Sequence, residues 1–64
     1  MVAWFLIERD DDETYRITDG WCYIGYSGLT RLKEEAIVYY TYGQALENGT
    51  VILNDHPEYG KLGV

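Results

Sequence analysis

The sequence predicts a small domain of the mainly β or α+β class, in which an antiparallel meander and a hairpin form a partly open barrel. Two dipeptides typical of hairpin turns, Asp19-Gly20 and Asn48-Gly49, stand beside segments rich in strand-forming residues. The six residues 37–42 are all β-branched or aromatic, which favours strand over helix. A length of 64 residues predicts a single domain, residues 1–64.

The first strand is predicted over residues 2–8, which are apolar up to Ile7 and end at a charge. Side chains alternate between the two faces of a strand, so both faces of this one are apolar. Such a strand is usually central in its sheet or covered on both sides. Its apolar run is too short to span a bilayer and lacks the flanks of a signal peptide, so no membrane association is expected.

Two further strands complete the predicted meander. Residues 14–18 alternate, with Tyr15 and Ile17 on one face and Arg16 on the other. The Asp-Gly turn then leads into residues 21–26, which are again rich in strand-forming side chains.

The segment that follows supports two interpretations, of which we favour the second hairpin. In this interpretation residues 36–46 and 50–54 are strands joined at Asn48-Gly49, with a bulge at Gly43, and a short helix lies near residues 29–35. Gly43 in the middle of a longer helix would cost about 1 kcal/mol relative to alanine.

The alternative is an antiparallel sheet packed on one helix spanning residues 29–47. Six small or apolar residues recur in this segment at spacings of three and four, which is the period of one helical face. Asn48-Gly49 would then cap the C-terminal end of the helix. In both interpretations residues 55–64, with their proline and glycines, are expected to form an irregular tail.

Most of the negative charge lies in one short segment. Residues 8–19 hold six acids and two bases, a balance of −4, whereas the whole chain carries −6. Four carboxylates are consecutive, Asp10, Asp11, Asp12 and Glu13, and the predicted meander places them on the loop between the first two strands. Such a loop favours basic partners and opposes direct binding of nucleic acid.

The same residues offer little for catalysis, metal binding or a cofactor. The adjacent acids lack the alternate spacing and the glycine of an EF-hand loop, so no metal site is predicted. The single cysteine, Cys22, and the single histidine, His56, lie in separate predicted segments. Nothing in the sequence sets a base beside a nucleophile, and the chain is predicted to be no enzyme and to need no cofactor.

Tyrosine is the second notable feature, with seven residues in the chain. Tyr39, Tyr40 and Tyr42 cannot all point into one core in either interpretation, so at least one should be exposed. Tyrosine is enriched at protein interfaces because it buries a ring while its hydroxyl stays hydrated. We therefore predict that these three tyrosines and the four acids form a partner-binding surface.

The function that follows is that of a small acidic binding protein that engages a basic protein. One specific form is a nucleic-acid mimic that inhibits a DNA- or RNA-binding protein, with carboxylates in place of phosphates. In size and charge the chain resembles small inhibitors of phage origin, a likeness of composition that no motif carries. The alternative is a small structural subunit or a homodimer. A single cysteine and the absence of a targeting segment lead us to expect a cytoplasmic location.

Overall fold

The computed structural model describes residues 2–63. Five strands, one 3-10 helix and one α-helix follow one another along the chain. Their bounds are β1 Trp4–Arg9, β2 Tyr15–Thr18, β3 Tyr23–Gly25, β4 Gly28–Thr30, the 3-10 helix Lys33–Glu35, α1 Tyr42–Asp55 and β5 Lys61–Leu62.

The strands form one mixed sheet in the order β4-β3-β2-β1-β5, which curves into a half-barrel with one helix. β1, β2, β3 and β4 pair antiparallel with their neighbours, while β5 pairs parallel with β1. The predicted α+β class and the meander of the first three strands are therefore confirmed, with strand ends shifted by one or two residues.

The segment of residues 36–39 joins the two halves of the sheet. β2 and β3 share a single register pair, Thr18 with Tyr23, so the sheet opens between them. Ala36 bridges Gly25 of β3, and Tyr39 bridges Tyr15 of β2, with both backbone hydrogen bonds of that pair formed at 2.8 and 2.9 Å. This segment satisfies backbone groups that the divergence of β2 and β3 leaves unpaired.

The predicted hairpin of residues 36–46 and 50–54 is wrong, because α1 occupies most of that segment. The Thr41 hydroxyl caps the helix by accepting a hydrogen bond from the Gln44 amide at 3.0 Å. Ala45, Gly49 and Leu53, spaced by four, bury one face of the helix.

The Asn48-Gly49 pair lies inside α1 for reasons of packing. A Cβ at residue 49 would lie 2.7 Å from the Ile17 Cδ1, so glycine is what lets the helix approach β2 this closely. The Asn48 side chain accepts a hydrogen bond from the Tyr39 hydroxyl. The pair thus links the helix to the sheet and forms no turn.

Two other predicted segments need correction. The alternative helix over residues 29–47 shares only its last six residues with α1, and the predicted short helix near residues 29–35 reduces to the 3-10 turn after β4. The predicted irregular tail, residues 55–64, contains β5. The Lys61 amide donates a hydrogen bond to the Ala3 carbonyl, and the Gly63 amide donates one to the Phe5 carbonyl. A strand of two residues gives too short a pattern to be recognised in a sequence.

The core lies between the sheet and α1. Its buried members come from β1, β2, β3, the 36–39 segment and the helix, namely Phe5, Ile17, Ile24, Tyr39, Ala45 and Leu53. β1 has neighbours on both edges, as predicted, yet only one of its faces is covered, because Trp4 and Leu6 on the other face are exposed. Within residues 2–63, no helix combines the length and the apolar character needed to cross a membrane.

Candidate functional site

The acidic loop is a tight turn held by its own side chains. The Asp10 amide donates to the Thr14 carbonyl at 2.8 Å, and the Glu13 amide donates to the Asp10 carbonyl at 3.0 Å. Glu13 closes the turn with a φ of 63°, in the left-handed region. The Asp10 Oδ1 also accepts a bond from the Asp11 amide at 2.9 Å. These contacts give the loop a defined shape.

Asp10 is the centre of an ion-pair cluster that the sequence analysis did not anticipate. Its Oδ2 lies 2.6 Å from the Lys33 Nζ and 2.7 Å from the Arg16 Nη1. The hydrogen bond from Lys33 is the main reason that the pKa of Asp10 is lowered, and the same bond raises the pKa of Lys33. The cluster ties the loop to the 3-10 turn, so Asp10 serves the fold.

The other three carboxylates differ in their surroundings. Asp12 accepts bonds from the Thr14 amide and hydroxyl, and the hydroxyl contact is the chief cause of its lowered pKa. Glu13 forms an exposed pair with Arg9 at 3.2 Å, a contact that contributes little to stability. Within residues 2–63 the Asp11 carboxylate has no cationic partner.

We expect the Asp10→Asn variant to unfold at a lower urea concentration than the wild type at about pH 7, because Lys33 and Arg16 lose their shared anion. A lowered folded-state pKa means that the unfolded chain binds the proton more tightly. The stabilisation that the Asp10 ion pairs provide is therefore complete above pH 3.8, the ordinary pKa of the carboxyl. It is lost as the pH falls through the lower pKa that Asp10 has in the folded chain.

Urea unfolding at about pH 7, 4 and 2.5 checks this expectation. The difference in midpoint between wild type and variant should shrink as the pH falls. Asp11→Asn is the matched control, with the same chemical change one residue away and no ion pair lost. A difference that stays constant down to the lowest pH would contradict the role of the cluster.

The three candidate tyrosines divide into one core residue and two surface residues. Tyr39 is buried, donates its hydroxyl hydrogen bond to Asn48, and has its pKa raised by desolvation. Tyr40 is 73% exposed and Tyr42 is 49% exposed. The Tyr42 ring stands edge-on to Tyr15, with centroids 6.1 Å apart at 81°. Tyr39 therefore supports the surface from below while the other two form part of it.

The backbone bridge between Tyr15 and Tyr39 sets Tyr40 near the end of the acidic loop. In an antiparallel bridge the residue after one partner lies beside the residue before the other. Tyr40 therefore runs next to Thr14, at the end of the acidic loop. We define the acidic–tyrosine surface as Asp11, Asp12, Glu13, Tyr40 and Tyr42.

A groove of about 440 Å³ extends this surface along α1. Gln44, in its wall, accepts a hydrogen bond from the Tyr40 amide at 3.3 Å, so the groove begins beside that tyrosine. Glu47 adds a carboxylate and Val51 an apolar contact to the lining. The groove therefore offers one carboxylate, two side-chain amides and an apolar contact.

No group of three or more His, Cys, Asp or Glu side chains among residues 2–63 is arranged to hold a metal ion. The acidic–tyrosine surface presents hydrogen-bond acceptors, negative charge and aromatic rings. Comparisons of the chain with protein families, curated proteins and solved structures gave no match.

Proposed function

We propose that this chain is a small non-enzymatic binding protein that engages a basic protein through the acidic–tyrosine surface. The observation that carries the proposal is the Tyr15–Tyr39 bridge, which sets Tyr40 next to Thr14 at the end of the acidic loop, while the Tyr42 ring contacts Tyr15 in the following strand. Aromatic anchors surrounded by polar groups are the usual composition of an energetically important interface patch. Support also comes from the groove along α1, where Glu47 adds a carboxylate that a cationic side chain of the partner would contact.

Internal ion pairs determine which acids are left for a partner. Residues 10–13 contribute four negative charges, and three bases pair with two of them, because Arg16 and Lys33 share Asp10, which leaves a local balance of −1. The two carboxylates of the loop without an ion-pair partner among residues 2–63 are those of Asp11 and Asp12. We therefore assign most of the affinity to Tyr40 and Tyr42, and assign to the carboxylates the rate and selectivity of association.

The narrower form of the proposal is an inhibitor that mimics nucleic acid and occupies the binding cleft of a DNA- or RNA-binding protein in the cytoplasm. Its support is the acidity of the whole chain, with eleven acids against five bases. In this form DNA or RNA should compete with the protein for its partner. Partner binding without such competition would leave only the broader proposal.

The test compares a surface variant with a charge-matched control. Asp11→Asn combined with Asp12→Asn is expected to lower the association rate for a captured basic partner about tenfold at low salt. Asp55→Asn combined with Glu58→Gln removes the same charge at the far end of α1, and we expect it to change that rate less than threefold. Partners are captured from lysate with the wild-type chain and measured by surface plasmon resonance.

A second variant tests the tyrosines. Tyr40→Ala with Tyr42→Ala should raise the dissociation constant about 100-fold, mainly through faster dissociation. Equal affinity of wild type and both surface variants would refute the acidic–tyrosine surface as the binding site.

A further inference from the structure

The uncovered face of β1 carries a row of exposed apolar side chains that the acidic–tyrosine surface does not use. Val2, Trp4 and Leu6 lie on this face, and the last two are each 58% exposed, whereas Phe5 between them is fully buried in the core. Neighbouring apolar side chains exposed in a row on a sheet mark an interaction surface far more often than isolated ones do.

The β1 and β5 charges at the two ends of this face are opposite, and Arg16 of β2 is the cross-strand neighbour of Glu8 on the same face. Lys61 is in register with Trp4, so both side chains point to the same side of the sheet. Glu8 lies on the same face at the other end of β1, two residues beyond Leu6. Neither side chain has an ion-pair partner among residues 2–63.

Lys61 differs from the other basic residues because it has no ion-pair or aromatic partner among residues 2–63. The chain has five bases, and three of them pair with the carboxylates of residues 10 and 13. A fourth, Arg31, lies over the Trp21 ring with its guanidinium carbon 4.5 Å from the ring centroid. Lys61 is the base that the described structure leaves without a partner, and it flanks the apolar face.

We propose that this face, formed by Val2, Trp4, Leu6, Glu8 and Lys61, is the interface between two copies of this chain. The face is self-complementary, because Leu6 lies midway between a positive end and a negative end. A two-fold axis that runs between the sheets, perpendicular to β1 at Leu6, makes the two β1 strands antiparallel and brings each Glu8 to the Lys61 of the other copy. This proposal goes beyond the proposed function and uses a different surface.

The alternative orientation is opposed by charge. An axis parallel to β1 would set the two Glu8 side chains against each other, and like charges across an interface are unfavourable. The antiparallel orientation also points the two acidic loops toward opposite ends of the dimer. The net charge of −6 per chain opposes association in general, which makes the two Glu8–Lys61 contacts decisive for orientation.

Three apolar side chains per copy form a patch smaller than a standard interface, so the dimer is weak. We expect a dissociation constant of about 10–100 µM, visible by sedimentation equilibrium between about 5 µM and 1 mM. A monomer throughout this range would overturn the proposal. Leu6→Lys puts two ammonium groups together at the axis and should raise the dissociation constant at least about 100-fold.

A charge-swap cycle tests the orientation. Glu8→Lys alone and Lys61→Glu alone should each raise the dissociation constant about tenfold, because each creates two like-charged contacts. The double variant restores both pairs in reverse and should return to within about threefold of the wild type. Failure of the double variant to recover, or a dimer unaffected by Leu6→Lys, would overturn the proposed interface.

Each variant needs evidence that its monomer still folds. The altered side chains are all exposed, so the urea midpoints of the Leu6 and Lys61 variants at low concentration should stay close to that of the wild type. Glu8→Lys sets a second cation opposite Arg16 and should lower the midpoint slightly, without unfolding the monomer. Tyr40→Ala with Tyr42→Ala serves as the matched control, because it removes exposed aromatic surface outside the interface and should leave the dimer unchanged. Loss of the dimer in that control would place the contact at the other surface and refute this one.

Discussion

Replacing Gly60 with alanine is expected to lower the free energy of unfolding by about 3–5 kcal/mol. Gly60 has a φ of +144°, which side chains disfavour, and it is buried where the tail approaches β1. A Cβ at this position would lie 2.3 Å from the Ala3 carbonyl oxygen. That oxygen is backbone and accepts the Lys61 amide at 2.9 Å, so it cannot move without loss of the β1–β5 pairing.

Gly20 provides a control that separates backbone strain from steric overlap. It also has a positive φ, +95°, yet a Cβ there would have no atom within 4 Å. Gly20→Ala should therefore cost only the strain of the left-handed region, about 1–2 kcal/mol. Urea unfolding followed by tryptophan fluorescence gives both values. If the two variants lose equal stability, the close approach of Gly60 to β1 is contradicted.

The first half of the fold could be predicted because its determinants are local. Strands β1, β2 and β3 follow one another through short connections. The alternation of their side chains and the residues of their turns can therefore be recognised within short stretches of sequence. β5 could not be predicted in this way. Its existence depends on a parallel pairing with β1 across most of the chain, and a strand of two residues carries no period.

The alternative interpretation predicts one helix packed on the sheet but starts it 13 residues too early, although the sequence contains a signal for its start at residue 42. Thr41-Tyr42-Gly43-Gln44 has the spacing of a capping box, and the structure uses Thr41 as the N-cap. Strand propensity in residues 37–42 and the Asn48-Gly49 pair outweighed that signal in the prediction. Tertiary packing decided otherwise, because a glycine at position 49 allows the helix to lie against Ile17.

The candidate site was predicted in outline only. A charge count identifies the acidic loop, but it cannot show that Asp10 would be neutralised by Lys33, which lies 23 residues further along the chain. The alternation of β2 does place Arg16 near the loop, so that pairing could have been anticipated. Which tyrosine enters the core depends on the Tyr15–Tyr39 bridge, and such a long-range contact has no local signature.

Phe5→Ala should destabilise the domain by about 3–5 kcal/mol, since a fully buried ring is replaced by a cavity. A domain of this size is stable by roughly 3–10 kcal/mol, so we expect a fraction of this variant to be unfolded even without urea. Phe5→Leu keeps the test quantitative, with an expected loss of about 1–1.5 kcal/mol. Both are measured by urea unfolding at low micromolar concentration, where a weak dimer does not contribute.

Leu6→Ala, one residue along the same strand, is the matched comparison. Its side chain lies on the uncovered face, so the monomer should lose less than about 1 kcal/mol. The sequence of β1 is apolar on both faces. The difference in stability loss between Phe5→Ala and Leu6→Ala tests whether only one of these faces packs in the core. A loss at Leu6 equal to that at Phe5 would mean that the outer face is covered within the monomer, and the surface proposed for a second copy would then not exist.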